Sequence, residues 1–156
     1  MRIAVGYSFR PTPRWNLEAN IEWLDWDSLN TLKLKGAMFP PSGVVPLVFN
    51  WQSNFIYELG LTYRTGGGYI LAIGYDYNGN SQPDETYQPG VADADRHWFN
   101  TGIGKHYDDW MWFLSYQFGY SNRTVRDNPP NPIGATTNGE YKARHHAVVL
   151  SWGQNF

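Results

Sequence analysis

Apolar and polar positions alternate along most of the chain. In residues 69–78 the odd positions are Tyr69, Leu71, Ile73, Tyr75 and Tyr77, and the even ones are Ile70, Ala72, Gly74, Asp76 and Asn78. One face is large and apolar and the other mostly small or polar, the period-2 signature of a strand between two different surroundings. From Trp15 the pattern repeats: Trp15, Leu17, Ala19, Ile21 and Trp23 oppose Asn16, Glu18, Asn20 and Glu22. It recurs over 3–9, over 55–63 with Ile56 as an exception, and over 110–120. Seven strands are predicted, over 2–10, 14–34, 47–64, 69–79, 95–106, 110–124 and 139–154, with ends uncertain by about two to four residues.

The connections sharpen the picture. Residues 11–13, 65–68 and 107–109 form tight turns, whereas 35–46, 79–94 and 125–138 are long and rich in Gly, Pro, Asn and Asp. Short and long connections therefore alternate. A soluble sandwich has no reason to keep that order, but an outer-membrane barrel has short periplasmic turns and longer extracellular loops. Spanning a bilayer takes about 9–11 tilted residues per strand, and the predicted strands are long enough. Counting back from Phe156 by twos gives Gln154, Trp152, Leu150 and Val148. A terminal Phe on such a strand resembles the assembly signal read by the outer-membrane barrel insertion machinery. Lipid cannot satisfy the backbone at an open sheet edge, so seven strands are expected to be half of a larger barrel.

Composition agrees. The 156 residues include 8 Trp, 11 Tyr and 8 Phe, yet the mean hydropathy is only −0.52. Aromatic girdles around a barrel with a polar interior produce that combination. No apolar run approaches the length of a membrane helix. A net charge of −2 offers no basic surface, so no nucleic-acid partner is expected. Zero cysteines exclude disulfides, thiolate chemistry and cysteine metal sites. The first residues, Met1-Arg2-Ile3-Ala4-Val5-Gly6-Tyr7, lack the apolar core of a signal peptide, so either the protein stays in the cytoplasm or this is part of a longer chain.

The block Asp93-Ala94-Asp95-Arg96-His97-Trp98-Phe99-Asn100-Thr101-Gly102-Ile103-Gly104 resembles the Pro-Asp-x-Asp-Arg-x-Trp…Gly-x-Gly segment of FadL-type outer-membrane transport proteins. Ala92 stands where that motif usually has Pro. Further blocks are similar in the same order: Tyr7-Ser8-Phe9-Arg10-Pro11-Thr12-Pro13, Glu22-Trp23-Leu24-Asp25-Trp26, Asn50-Trp51 with Tyr57-Glu58-Leu59-Gly60-Leu61-Thr62-Tyr63-Arg64, and Gly74-Tyr75-Asp76-Tyr77 with Pro83-Asp84-Glu85. The resemblance implies the C-terminal half of a 14-stranded antiparallel up-and-down barrel in the bacterial outer membrane. It also implies passive uptake of long-chain fatty acids or aromatic hydrocarbons, without a cofactor. The family's N-terminal hatch and early strands have no counterpart in these residues. Expected partners are outer-membrane lipid, a hydrophobic small molecule and the insertion machinery that reads Phe156. The complete barrel is expected to be monomeric.

Alternation assigns the inward face directly. Arg2, Glu18, Glu22, Glu58, Asp76 and Arg96 share it, as charges that either line a substrate path or brace the lumen. Leu24, Trp26, Trp98, Met111 and Phe113 also point inward by parity and, with Arg96, are the candidate substrate contacts. Apolar groups there suit a hydrophobic conduit, because an acyl chain loses about 0.8 kcal/mol per CH₂ on returning to water. Arg96 is suited either to Asp93 and Asp95, the commoner role for such an Arg, or to a ligand carboxylate, and Trp98 lies one step deeper, about 7 Å further along the strand. His145 and His146 are neighbours that face opposite sides, so they cannot jointly hold a metal. His146 and Ser151 have opposite parity, and Gly102-Ile103-Gly104 precedes no helix, so nothing argues for an enzyme. The competing reading is a soluble β-barrel or sandwich that binds small ligands, which would bury the apolar face.

Overall fold

The computed structural model describes residues 1–36, 43–130 and 134–154. Phe156, the expected assembly signal, lies outside them. The described residues form nine strands: β1 (Arg2–Thr12), β2 (Trp15–Leu24), β3 (Thr31–Lys35), β4 (Val44–Val48), β5 (Asn54–Arg64), β6 (Tyr69–Asn78), β7 (Arg96–His106), β8 (Trp110–Val125) and β9 (Gly139–Gln154). Seven make one antiparallel sheet in the order β1-β2-β5-β6-β7-β8-β9, each beside its neighbour in the meander. Among the described residues β1 and β9 do not pair, so the sheet is open.

Two predicted strands are shorter than expected. The stretch 14–34 breaks after Leu24, where a turn closes through the Trp26 N–H to Leu24 carbonyl bond at 3.1 Å and the Leu29 N–H to Trp26 carbonyl bond at 2.8 Å. The stretch 47–64 breaks at Asn50, whose φ of 47° lies in the left-handed region that Asn tolerates. Between the breaks β3 and β4 pair only with each other, as a ribbon beyond the main sheet. Pro46 sits in β4 because a two-stranded ribbon leaves one side of each strand without a ladder partner. The connection 79–94 contains two 3₁₀ turns, Asp84–Thr86 and Pro89–Val91.

Register puts the alternation on two continuous faces. Glu58 stands opposite Asn20 and Asp76, and Gly102 opposite Ala72 and Ser115. The other face is apolar and open: Leu59 is 58% exposed, Ile73 60% and Leu150 71%, whereas Glu22 on the polar face is 7% exposed. Buried apolar side chains, among the described residues, are Phe49, Tyr87 and Val125, all at the long-connection end. A water-soluble domain of this size hides its large apolar groups, so the distribution is inverted, as a sheet facing lipid requires.

Aromatic residues band both ends of the apolar face. Near the long connections, His97 stacks on Tyr120 at 4.9 Å and shares a 2.7 Å hydrogen bond with the Tyr75 hydroxyl. Near the tight turns, Trp15 meets Tyr63 at 4.4 Å, Tyr107 stacks on Trp110 at 4.2 Å, and the Lys105 ammonium lies over Tyr69. From Tyr69 to Tyr77 the chain advances about 27 Å, comparable to an outer-membrane apolar band of about 25 Å crossed by tilted strands.

Candidate functional site

At the long-connection end the polar face carries a cavity of about 480 Å³, lined by Arg96 and Trp98 of β7, Ser121 of β8, Tyr141 and His145 of β9, and Tyr87 of the connection above. Trp98 lies flat there. It stands opposite Gly119, and a Cβ added at Gly119 would come within 2.3 Å of the indole's Cε3 and Cζ3. His145 lies beyond, 5.5 Å from the indole between ring centroids. The Arg96 guanidinium is 3.4 Å from the Asp93 carboxylate and donates to the Ala92 carbonyl at 3.1 Å. The expected pairing with Asp95 does not form; Asp95 accepts the Asn80 N–H at 2.8 Å instead.

The roof is fastened by Arg123, near the end of β8. Its guanidinium donates to the Asn80 side chain at 2.6 Å, the Asp93 carbonyl at 2.9 Å, the Gln82 carbonyl, and the Asp84 carboxylate at 2.7 Å. It also lies 4.7 Å over the Tyr87 ring, which packs on Tyr141 at 4.7 Å. The Asp93 carboxylate accepts the Ser81 N–H at 2.6 Å, and Asn128 donates to the carbonyls of Asp84 and Tyr87. Partial burial favours the protonated form of Asp84. The hydrogen bonds from Arg123 and the Arg126 N–H, with the nearby guanidinium charges, outweigh it and hold the carboxyl below its ordinary pKa. Burial, then the neighbouring Tyr141, push the Tyr87 hydroxyl up.

The other candidate contacts fall elsewhere. Leu24 and Trp26 line a separate cleft with Met1, Arg2 and Leu29. Trp26 lies beyond the end of β2 and packs on Trp51 at 5.1 Å, so strand parity does not apply to it. Phe113 lies at the turn end of the polar face over Gly102 and Gly104, and Met111 is opposite Gly153.

The inward charges are held half by ion pairs and half by neutral amides. Arg2 pairs with Glu22. Glu18 accepts from Asn16 at 2.8 Å, Glu58 from Asn20 at 3.1 Å and Asp76 from Asn100 at 2.7 Å, while Gln117 donates to Asn100 at 2.7 Å. This belt crosses the sheet from β2 to β8.

Parity carried through 141–145 places Tyr141 and His145 on the polar face, a signal available in the sequence. The same count along β8 places Arg123 there. Tyr87 lies in a connection, and its packing on Tyr141 has no sequence signature. No group of His, Asp and Glu able to hold a metal occurs among the described residues.

An open antiparallel sheet with an apolar outer face, aromatic bands and a polar, amide-braced inner face defines a transmembrane β-barrel wall. Residues 2–156 match the family model described as outer membrane protein transport protein (OMPP1/FadL/TodX), and the chain belongs to that family. A FadL homologue from Pseudomonas aeruginosa, known from its crystal structure, has a similar fold, with a TM-score of 0.74 and 16% identity. The match covers 97% of this chain and 33% of that one, so the chain spans a third of its length. No curated protein matches the chain.

Proposed function

We propose that the chain forms the C-terminal half of a 14-stranded, multi-pass barrel in the bacterial outer membrane that takes up hydrophobic compounds, such as long-chain fatty acids, passively and without a cofactor. The observation that carries the reading is the cavity beneath the connection 79–94, where Arg96 and Trp98 share the polar face with Tyr87, Tyr141 and His145. In an outer-membrane barrel the long connections are extracellular, so the cavity lies where a ligand leaves the outside medium. Arg96 suits a carboxylate head group, and the Trp98 face suits the chain or ring that follows it. Phe113 and Met111 continue an apolar trace toward the periplasmic turns, and Leu24 with Trp26 line a second cleft. Lipid contacts the apolar face, the insertion machinery reads Phe156, and the closed barrel works as a monomer.

The full-length protein, expressed in a transport-deficient host, tests this. It is expected in the outer-membrane fraction; recovery in the soluble or inner-membrane fraction overturns the reading. Trp98→Ala is expected to slow labelled hydrophobic uptake while heat-modifiable gel mobility stays normal. Arg96→Ala is expected to harm assembly more than uptake, because its guanidinium also ties β7 to Ala92 and Asp93. Unchanged uptake with Trp98→Ala, at normal barrel levels, removes Trp98 from the path.

A further inference from the structure

We infer that Gly119 is a specificity-determining residue: by leaving bare backbone opposite Trp98, it lets the indole lie against the wall and so sets the clearance of the cavity. The inference rests on the transport reading, although the seat itself can be tested apart from it.

The geometry is one-sided. All three atoms closest to an added Cβ at Gly119 belong to the Trp98 indole, at 2.3, 2.3 and 3.0 Å. They are ring atoms, so no flexible tip can bend away. The ring must lift off the sheet. Retreat along the wall meets His145, 5.5 Å away between centroids. What remains is the cavity, about 480 Å³, whose other walls include Tyr87 and Tyr141. A ring lying flat presents its face to a planar guest, and offset stacking of aromatic faces is favourable. A raised ring would present an edge and narrow the passage, excluding a fused-ring guest before a slender chain.

The same device occurs deeper in the sheet, where Phe113 covers Gly102 and Gly104. There the backbone intervenes: an added Cβ at Gly104 meets the Trp112 carbonyl at 2.5 Å, and one at Gly102 meets the Leu114 carbonyl at 3.3 Å. Substitution at those glycines would disturb the strands themselves. At Gly119 the three closest atoms are all ring atoms, so the indole is its tightest contact.

The experiment uses the full-length protein in its outer membrane, with labelled naphthalene and labelled laurate as probes. Gly119→Ala is expected to slow naphthalene uptake about ten-fold, the scale of a misfit of one methyl group, and laurate uptake by less than about two-fold. The double variant with Trp98→Ala is expected to match Trp98→Ala alone. Equal losses for both probes, or a double variant slower than Trp98→Ala, overturn the specificity role. Gly119→Ala is also expected to lower the midpoint of thermal heat-modifiability by about 2–10 °C with Trp98 present, and not with Ala at 98. An equal lowering in both backgrounds overturns the seat. A wild-type protein that carries neither probe refutes the transport reading, and the thermal comparison still decides the seat.

Discussion

Arg123 shows how one side chain can organise a whole connection. Its side chain is 7% exposed, and the guanidinium ties Asn80, Gln82, Asp84 and Asp93 together while covering Tyr87. Its carboxylate partner Asp84 is 35% exposed, so loss of the pair costs less than the about 3–5 kcal/mol of a fully buried one. The loop carbonyls lose their donor with it, however, which is enough to open a surface connection without unfolding a barrel. Arg123→Ala is therefore expected to expose 79–94 to protease on intact cells at unchanged barrel levels. Arg123→Lys is expected to rescue little, since an ammonium cannot fork to several acceptors. The Asp84 link has a pH signature. Its folded pKa is depressed, so its stabilisation is full above the unfolded value of about 3.9 and disappears as pH falls through the lower folded value. Cleavage of the connection by pepsin should therefore rise on acidification below about pH 4, beyond pepsin's own pH profile measured on an unfolded control. Asp84→Asn should abolish that extra rise. Arg96 and Trp98 were readable from parity because they sit in a regular strand. Arg123 obeyed the same rule, but the reason it matters, a set of loop carbonyls gathered from distant sequence, had no local pattern.

At the scale of the strands, alternation gave a sound account of which side chains share a face and a poor one of where strands stop. Trp26 illustrates the failure: it keeps even parity with Glu22 and Leu24, yet the chain has already turned. Strand ends here are set by hydrogen bonds such as the Ser28 hydroxyl to the Asp25 carbonyl and the Ser53 N–H to the Asp27 carboxylate at 2.7 Å, which depend on folded neighbours. The break before the β3–β4 ribbon did leave a mark in the sequence: Leu32 and Leu34 are even, whereas the apolar face of β2 is odd. The face assignment itself predicts opposite outcomes for adjacent residues. Ile73→Arg places a charge on the apolar face and is expected to cost about 2–4 kcal/mol near the bilayer midplane, seen as loss of folded barrel in quantitative gel mobility. Ala72→Ser, on the polar face, is expected to leave the folded fraction unchanged.

For the whole molecule, the open sheet and the inverted exposure of its side chains fit a barrel wall, and the proposed half-barrel would place lipid on one side and further strands at both edges. The 156 residues expressed alone are expected to appear in aggregates or detergent micelles. A monodisperse, detergent-free monomer with cooperative unfolding would restore the soluble-barrel reading. Size-exclusion chromatography with light scattering, followed by thermal unfolding, distinguishes the two.

The order of the meander also constrains what can complete the wall. β1 runs from its pairing with Leu24 down to the turn at 12–15, and β9 runs from Gly139 down to Gln154, so both rims of the sheet point the same way through the membrane. Two copies placed side by side in one orientation would bring β1 of one against β9 of the other as parallel strands. Those seams would have slanted, less stable bonding unlike every other junction in the wall. A complement that keeps the ladder antiparallel throughout must begin and end on strands that rise toward the outside. The direction of two rims thus disfavours self-pairing and prescribes the polarity of whatever closes the ring.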